Sequence, residues 1–215
     1  MLDKRFLRIV PLPADLTNEE IFQAMKDTQD FFSTIHEKTG INLSTIIQAN
    51  NFSGVVSNVF TKMLSDCSSY HSFSDQRYPD LMHEVFDIGL EVKASNKPMK
   101  GGEGHNGHSG WHIVVCYEVL ENGDIDFSQV EIADLIGYEY GDSSDWKYQG
   151  SSRNANESQR TETYITTSIG TAKLRDGSVY LNPNYVALSP HILSFRRRLE
   201  ETLPIPEHSI FFRES

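Results

Sequence analysis

Cysteine is nearly absent from this chain: Cys67 and Cys116 are the only two in 215 residues. They stand far apart in apolar surroundings, so they read as buried thiols rather than as a disulfide framework. Long hydrophobic runs are missing too. The longest, Ile113-Val114-Val115-Cys116-Tyr117, has strand length, far short of the roughly 18 apolar residues that mark a membrane span. The stretch from Met1 to Pro13 holds no sustained apolar segment and no small-residue cleavage site, so no secretory leader is read there. The expectation is a cytoplasmic protein. Positive charge is the third scarcity: 19 Lys and Arg face 30 Asp and Glu, a net charge of −11. That balance argues against a protein that coats nucleic acid, although a local basic groove can coexist with an acidic exterior. Helicase, ATP-binding and methyltransferase glycine motifs are missing, and so are internal repeats and linker-like stretches.

What is present suffices for a core. Apolar residues make up 38% of the chain and aromatics 11%, in a length that suits one domain. The chain reads as a single domain over 1–215, mainly helical over 1–68 and sheet-forming over 69–215. Residues 1–14 suggest a short strand or arm closed by Pro11 and Pro13. Thr17 and Glu20 form a capping-box pattern. Ile21, Met25, Thr28, Phe32 and Ile35 then recur at helical spacing until Gly40. Further helices are predicted over 44–49, broken by Asn50 and Asn51, and over 53–65. Strands are predicted over 78–85 and 90–94, with Asp87, Ile88 and Gly89 as their turn. Another covers 112–120 and ends at the turn Glu121-Asn122-Gly123-Asp124. A strand over 126–136 that grades into helical or irregular structure follows. Residues 141–162 are polar and read as a long loop or arm. Strands over 163–169 and 178–181 and a helix over 188–203 complete the pattern.

Pro79-Asp80 is the one Pro-Asp pair in the chain, and ten residues separate Asp80 from Glu91-Val92-Lys93. Side chains alternate across a strand, so Glu91 and Lys93 share one face while Val92 turns to the core. A hairpin between the two predicted strands brings Asp80 near Glu91. Two carboxylates, the Val92 carbonyl and a lysine then converge. The oxygens are hard ligands that suit Mg²⁺, and the lysine places a positive charge beside a phosphate or an attacking water. A second acidic-x-Lys triplet, Asp145-Trp146-Lys147, has no upstream Pro-Asp and lies in polar surroundings. The bland alternative for the first is a hairpin with an ordinary Glu–Lys pair.

The motif, with Tyr78 and Leu81 around Pro79-Asp80 and Gly89 to Ser95 around the triplet, resembles the PD-(D/E)xK nuclease superfamily, which includes most type II restriction endonucleases. The resemblance covers roughly residues 53–120. It implies an α/β fold, a mixed central sheet of about five strands flanked by helices. It implies Mg²⁺ held by Asp80, Glu91 and the Val92 carbonyl, with Asp80, Glu91 and Lys93 as the catalytic set. Lys93 would position or activate the water, and cleavage would leave a 5′-phosphate and a 3′-hydroxyl. Some relatives add a glutamate from the preceding helix, which ends here in Ser65-Asp66. Glu84 and Glu118 are the substitutes, Glu84 being favoured by sharing the face of Asp80.

A glycine-rich loop with His105, Asn106, His108 and His112 comes next. Three histidines invite a zinc reading, but no Cys or carboxylate cluster completes a ligand set. The other readings are a DNA-contacting loop, with Lys97 and Lys100 adding charge, and a plain solvent loop. Arg153, Arg160, Lys173 and Arg175 are further DNA-contact candidates or parts of a solvated surface. Arg196-Arg197-Arg198 reads as phosphate contacts or as partners of Glu200 and Glu201.

The expected function is a Mg²⁺-dependent endonuclease on double-stranded DNA, of the type II restriction kind. A homodimer would cut both strands of a palindrome, and a cognate DNA methyltransferase would belong to the same system. The alternatives are a repair or recombination nuclease of resolvase or nicking type, a non-catalytic DNA-binding protein on the same fold, and a histidine-loop metalloprotein. The charge balance adds one expectation. Basic residues should concentrate between Lys93 and Lys100 and between Arg153 and Arg175, with DNA binding that weakens steeply in salt.

Overall fold

A computed structural model describes residues 2–73, 78–101, 103–104, 107–150 and 163–213. After a 3₁₀ turn (Lys4–Phe6) come helices α1 (Asn18–Thr39), α2 (Leu43–Ile46) and α3 (Ala49–Cys67). Strands β1 (Tyr70–Ser72), β2 (Leu81–His83), β3 (Gly89–Ser95), β4 (Glu103–Gly104), β5 (Gly110–Val119) and β6 (Ile125–Leu135) follow. A 3₁₀ segment (Tyr138–Ser143), β7 (Trp146–Gly150), β8 (Thr163–Thr166), α4 (Ser168–Asp176), β9 (Ser178–Leu181) and α5 (Pro190–Arg198) complete the order. The architecture is α/β: N-terminal helices, then a six-stranded mixed sheet in the order β1-β2-β3-β5-β6-β9. β3 and β5 run parallel and the other described neighbours antiparallel. A separate sheet, β4-β8-β7, is a layer that the motif gave no reason to expect.

Local chemistry explains the helical third. The Thr17 hydroxyl accepts from the Glu20 N–H, and the Glu20 carboxylate accepts from the Thr17 N–H, so the capping box is complete. Gly40 ends α1 at φ 67°, a left-handed conformation that glycine adopts without a Cβ penalty. Ile21, Ala24, Met25 and Phe32 of α1 and Val56, Phe60 and Leu64 of α3 are buried against Leu90, Val92, Ile113, Val115, Val130 and Ile132 of the sheet. Each large side chain so buried contributes about 1.5–3 kcal/mol. The opposite face holds Val114, Cys116, Ala133 and Leu135 under Trp146 and Leu174. Both cysteines are free, Cys116 buried and Cys67 partly so. No described helix is long and apolar enough to cross a membrane.

Several boundaries differ from the sequence expectation, each for a physical reason. Asn50 and Asn51 do not break a helix; they lie in the first turn of α3, where backbone N–H groups have no intrahelical partner to lose. β2 is shorter than 78–85. Pro79 has no N–H to give, and the Asp80 carboxylate takes the Val92 N–H in place of a backbone carbonyl. At its other end, His83 Nδ1 accepts from the Val85 and Phe86 N–H groups and turns the chain out of the strand. β6 is strand throughout, because a central strand buried on both faces hides polar residues such as Asp126, Gln129 and Glu131. Within 141–162, residues 146–150 form β7, anchored by the buried Trp146; residues 151–162 lie outside the described set. The strand expected over 163–169 stops at Thr166, since the Thr167 hydroxyl accepts from the Gly170 N–H and caps α4. At the N-terminus the arm forms no named strand among the described residues; an isolated bridge pairs Leu7 with Tyr180 of β9.

Within the arginine run, Arg196 is reassigned. Arg196 pairs with neither Glu200 nor Glu201. It is fully buried and donates to both carboxylate oxygens of Asp176 and to the Leu203 and Pro204 carbonyls.

Glu131 gives a pH prediction. Its Oε1 accepts from Gln129 at 2.8 Å, while its buried Oε2 has no partner among the described residues. Burial raises its pKa to about 7 against the weaker, opposing pull of Arg175 and Gln129. Because the folded-state value exceeds the ordinary 4.5, this contribution to stability is complete below that pH and is lost as pH rises through 7. Glu131→Gln should therefore match the wild type at pH 4 and melt higher than it at pH 8. Equal melting differences at the two pH values would refute the assignment.

Candidate active site

The β2–β3 register, Leu81 opposite Leu90 and Met82 opposite Gly89, sets Asp80 opposite Glu91. The Asp80 N–H donates to Glu91 Oε2 at 3.3 Å, and Asp80 Oδ2 accepts from the Val92 N–H at 2.8 Å. In a strand the N–H and C=O of one residue point to the same side, so the Val92 carbonyl is directed toward the Asp80 side as well. Val92 itself is buried in the helix-facing core, and Glu91 and Lys93 take the other face. Lys93 Nζ donates to Glu91 Oε1. The local sequence thus brings all the motif groups together.

The electrostatics follow from this crowding. Burial and the adjacent Glu91 carboxylate raise the Asp80 pKa, opposed by Lys93 and the Val92 N–H. Lys93 is the counter-charge of the carboxylate pair. A divalent cation between the two carboxylates would relieve their repulsion, and the donor set of two carboxylates and one backbone carbonyl is all hard oxygen, so these residues fit Mg²⁺. Among the described residues, no three His, Cys, Asp or Glu side chains form a metal-holding group. The metal reading rests on the two carboxylates and the carbonyl.

Gly89 makes the approach of the Pro-Asp turn to β3 possible. A Cβ there would lie 2.2 Å from Pro79 Cγ and 3.0 Å from its Cβ. Gly89→Ala should therefore push the turn away from Glu91 while leaving the fold intact. An ångström of misplacement at such a site costs about 100-fold in rate. If the site is catalytic with Mg²⁺, a variant that melts like the wild type but no longer turns over is the expected result; unchanged turnover would show that the turn yields freely.

The remaining site candidates are distributed unevenly. Lys97 and Lys100 are exposed after β3. His108 is exposed and stacks on Tyr78 with ring centroids 4.3 Å apart. His112, in register with Glu91, is buried against Trp146 at 5.1 Å, and burial pushes its pKa down to about 4. His105, Asn106, Arg153 and Arg160 lie outside the described residues. Lys173 is engaged internally, 2.6 Å from the buried Asp145. Arg175 donates to the Met99 carbonyl and lies 4.7 Å over the Phe195 ring. These two hold the fold together, and the basic stretch expected from 153 to 175 keeps neither as an open contact. The second triplet is likewise structural: Asp145 binds Lys173 and the Ile136 N–H, and Trp146 is core. Glu84 faces His71 at 3.3 Å on the surface. Glu118 sits opposite Asp126, six residues along β5 from His112. Neither supplies an extra ligand.

One site neighbour had no sequence signal beyond its place before Pro79. The Tyr78 hydroxyl donates to the Ser109 carbonyl at 2.7 Å, tying the Pro-Asp turn to the start of β5. Burial, with Glu91 as the next cause, raises its pKa.

No family model, no curated protein and no solved structure matches this chain.

Proposed function

We propose that this protein is a Mg²⁺-dependent endonuclease that hydrolyses phosphodiester bonds of double-stranded DNA, of the PD-(D/E)xK kind and, within it, of the type II restriction kind. The observation that carries the reading is the Asp80–Glu91 carboxylate pair, with the Val92 carbonyl on its side and Lys93 on Glu91. Asp80, Glu91 and the Val92 carbonyl would hold Mg²⁺. The bound ion supplies Lewis-acid stabilisation of charge developing on the scissile phosphate. Lys93 is placed to hold and orient the attacking water, or to face the phosphate, once Glu91 is engaged elsewhere. His112 stays neutral beneath the site and adds no charge there. Lys97 and Lys100, exposed after β3, would meet the backbone. The described residues of one chain form one such site, so cutting both strands of a palindrome would call for a second copy.

The test is digestion of a sequenced plasmid with Mg²⁺, with EDTA as control and the ends mapped. Discrete bands with 5′-phosphate ends are expected. Absence of cutting on any DNA with Mg²⁺ or Mn²⁺ would overturn the reading. Selective cutting of branched DNA would move it to a resolvase.

A further inference from the structure

Met99 is buried, yet its φ is 61°. A residue with a Cβ keeps this left-handed conformation only where its surroundings impose it. Here two distant elements do so. The Met99 N–H donates to Gln129 Oε1 of β6 at 2.8 Å, and the Met99 carbonyl accepts from the Arg175 guanidinium of α4. The Met99 side chain packs with Val186 and Phe211. Gln129 is itself fixed: its Nε2 donates to Glu131 Oε1 at 2.8 Å and to Ser178 Oγ at 2.9 Å. Through Cys116, Gln129 is in register with Ser95, the last residue of β3. It therefore shares the sheet face of Glu91 and Lys93. The segment from Lys97 to Gly101 leaves β3 and is fastened down on that face. Its ends are tied as well. The Lys97 N–H donates to Ser95 Oγ at 3.1 Å. Gly101, at φ 84°, lies so close to α4 that a Cβ there would meet the Thr171 hydroxyl at 2.7 Å. Lys97 and Lys100 stay exposed on this fixed backbone.

We propose that Gln129 and Arg175 are positioning residues for DNA binding: through Met99 they hold Lys97 and Lys100 in a set geometry for backbone phosphates near the scissile one. This inference rests on the nuclease reading above and adds to it how the site grips its substrate. Lysines on a loose loop surrender backbone freedom when they bind, whereas a backbone already fixed has surrendered it on folding. Their ammonium groups are point charges, which suit phosphates.

The test is anisotropy of a short labelled duplex with the full chain in EDTA, which prevents cutting, over a range of salt concentrations. The double variant Lys97→Ala with Lys100→Ala should flatten the slope of log affinity against log salt by about two, one for each phosphate contact. Arg175→Met should flatten it by a similar amount, and should cost little more when added to the lysine pair, because it acts through them. Arg175→Lys, which can still donate to the Met99 carbonyl, should restore most of the slope. Gly101→Ala reaches the same segment from its other end and should behave like Arg175→Met, so the test survives if either variant does not fold. A wild-type slope in the lysine pair overturns the proposal. So does a wild-type slope in the folded Arg175→Met or Gly101→Ala protein, or an Arg175→Met loss that adds in full to that of the lysines. The two readings fail separately. Coupled slopes without any Mg²⁺-dependent cutting overturn the nuclease and leave the positioning role. Cutting by a protein whose slope ignores Arg175 and Gly101 does the reverse.

Discussion

Asp80→Asn, Glu91→Gln and Lys93→Ala should each lower Mg²⁺-dependent cleavage of plasmid DNA by at least about 100-fold, the usual loss when a group that stabilises transition-state charge is removed. The three side chains act on one point, so combining the changes should cost little more than the worst single one. The fold should survive. Asp80 and Glu91 are two carboxyls pressed together, with burial and mutual repulsion raising the Asp80 pKa. Removing one charge therefore relieves the metal-free protein rather than harming it. Asp80→Asn should melt no lower than the wild type in EDTA. Mg²⁺ should raise the melting temperature of the wild type, since a ligand of the folded state stabilises it by mass action, and should leave that of Asp80→Asn unchanged. This pattern separates a metal site from an ordinary ion pair. In the bland reading of the hairpin, Lys93→Ala alters neither cutting nor the Mg²⁺ response. Full activity in any of the three variants sinks the site assignment.

The largest stability effect belongs to Arg196. Arg196→Met should cost about 3–5 kcal/mol, because it leaves the Asp176 carboxylate buried without its partner. Among the described residues, Asp176 would keep the Ser209 hydroxyl at 2.6 Å. The Leu203 and Pro204 carbonyls would lose donors at 2.7 and 3.0 Å. For a chain of this size the melting temperature should fall by about 10 °C or more. Arg196→Lys should rescue little, since one ammonium cannot replace a planar fork that serves two carboxylate oxygens and two carbonyls. Thermal melting monitored by circular dichroism decides it. A loss below about 1 kcal/mol would mean that α5 and the end of α4 are not held by this pair.

The Asp80–Lys93 hairpin was legible because everything that makes it is local. The Pro-Asp pair, the ten-residue spacing and the alternation of Glu91, Val92 and Lys93 fix which groups meet once the strands pair, and the register shows them opposite one another. The capping box of α1 was legible for the same reason. The charged residues of the second half were not. Lys173, Arg175 and Arg196 have partners 28, 76 and 20 positions away. A sequence shows their charge but not whether a buried acid or a carbonyl awaits it.

Residue order by itself determined the helical third, the hairpin, the placement of Asp80, Glu91 and Lys93 on a common site, and the burial of Val92, since strand and helix periodicities act over a few residues. Only the tertiary structure decided the rest. It decided that Gly89 must be small because Pro79 leans on it, that Arg196 is buried, and that Gln129 and Arg175 fasten Met99. Those facts depend on which distant segments pack together, and packing is set by the whole core at once.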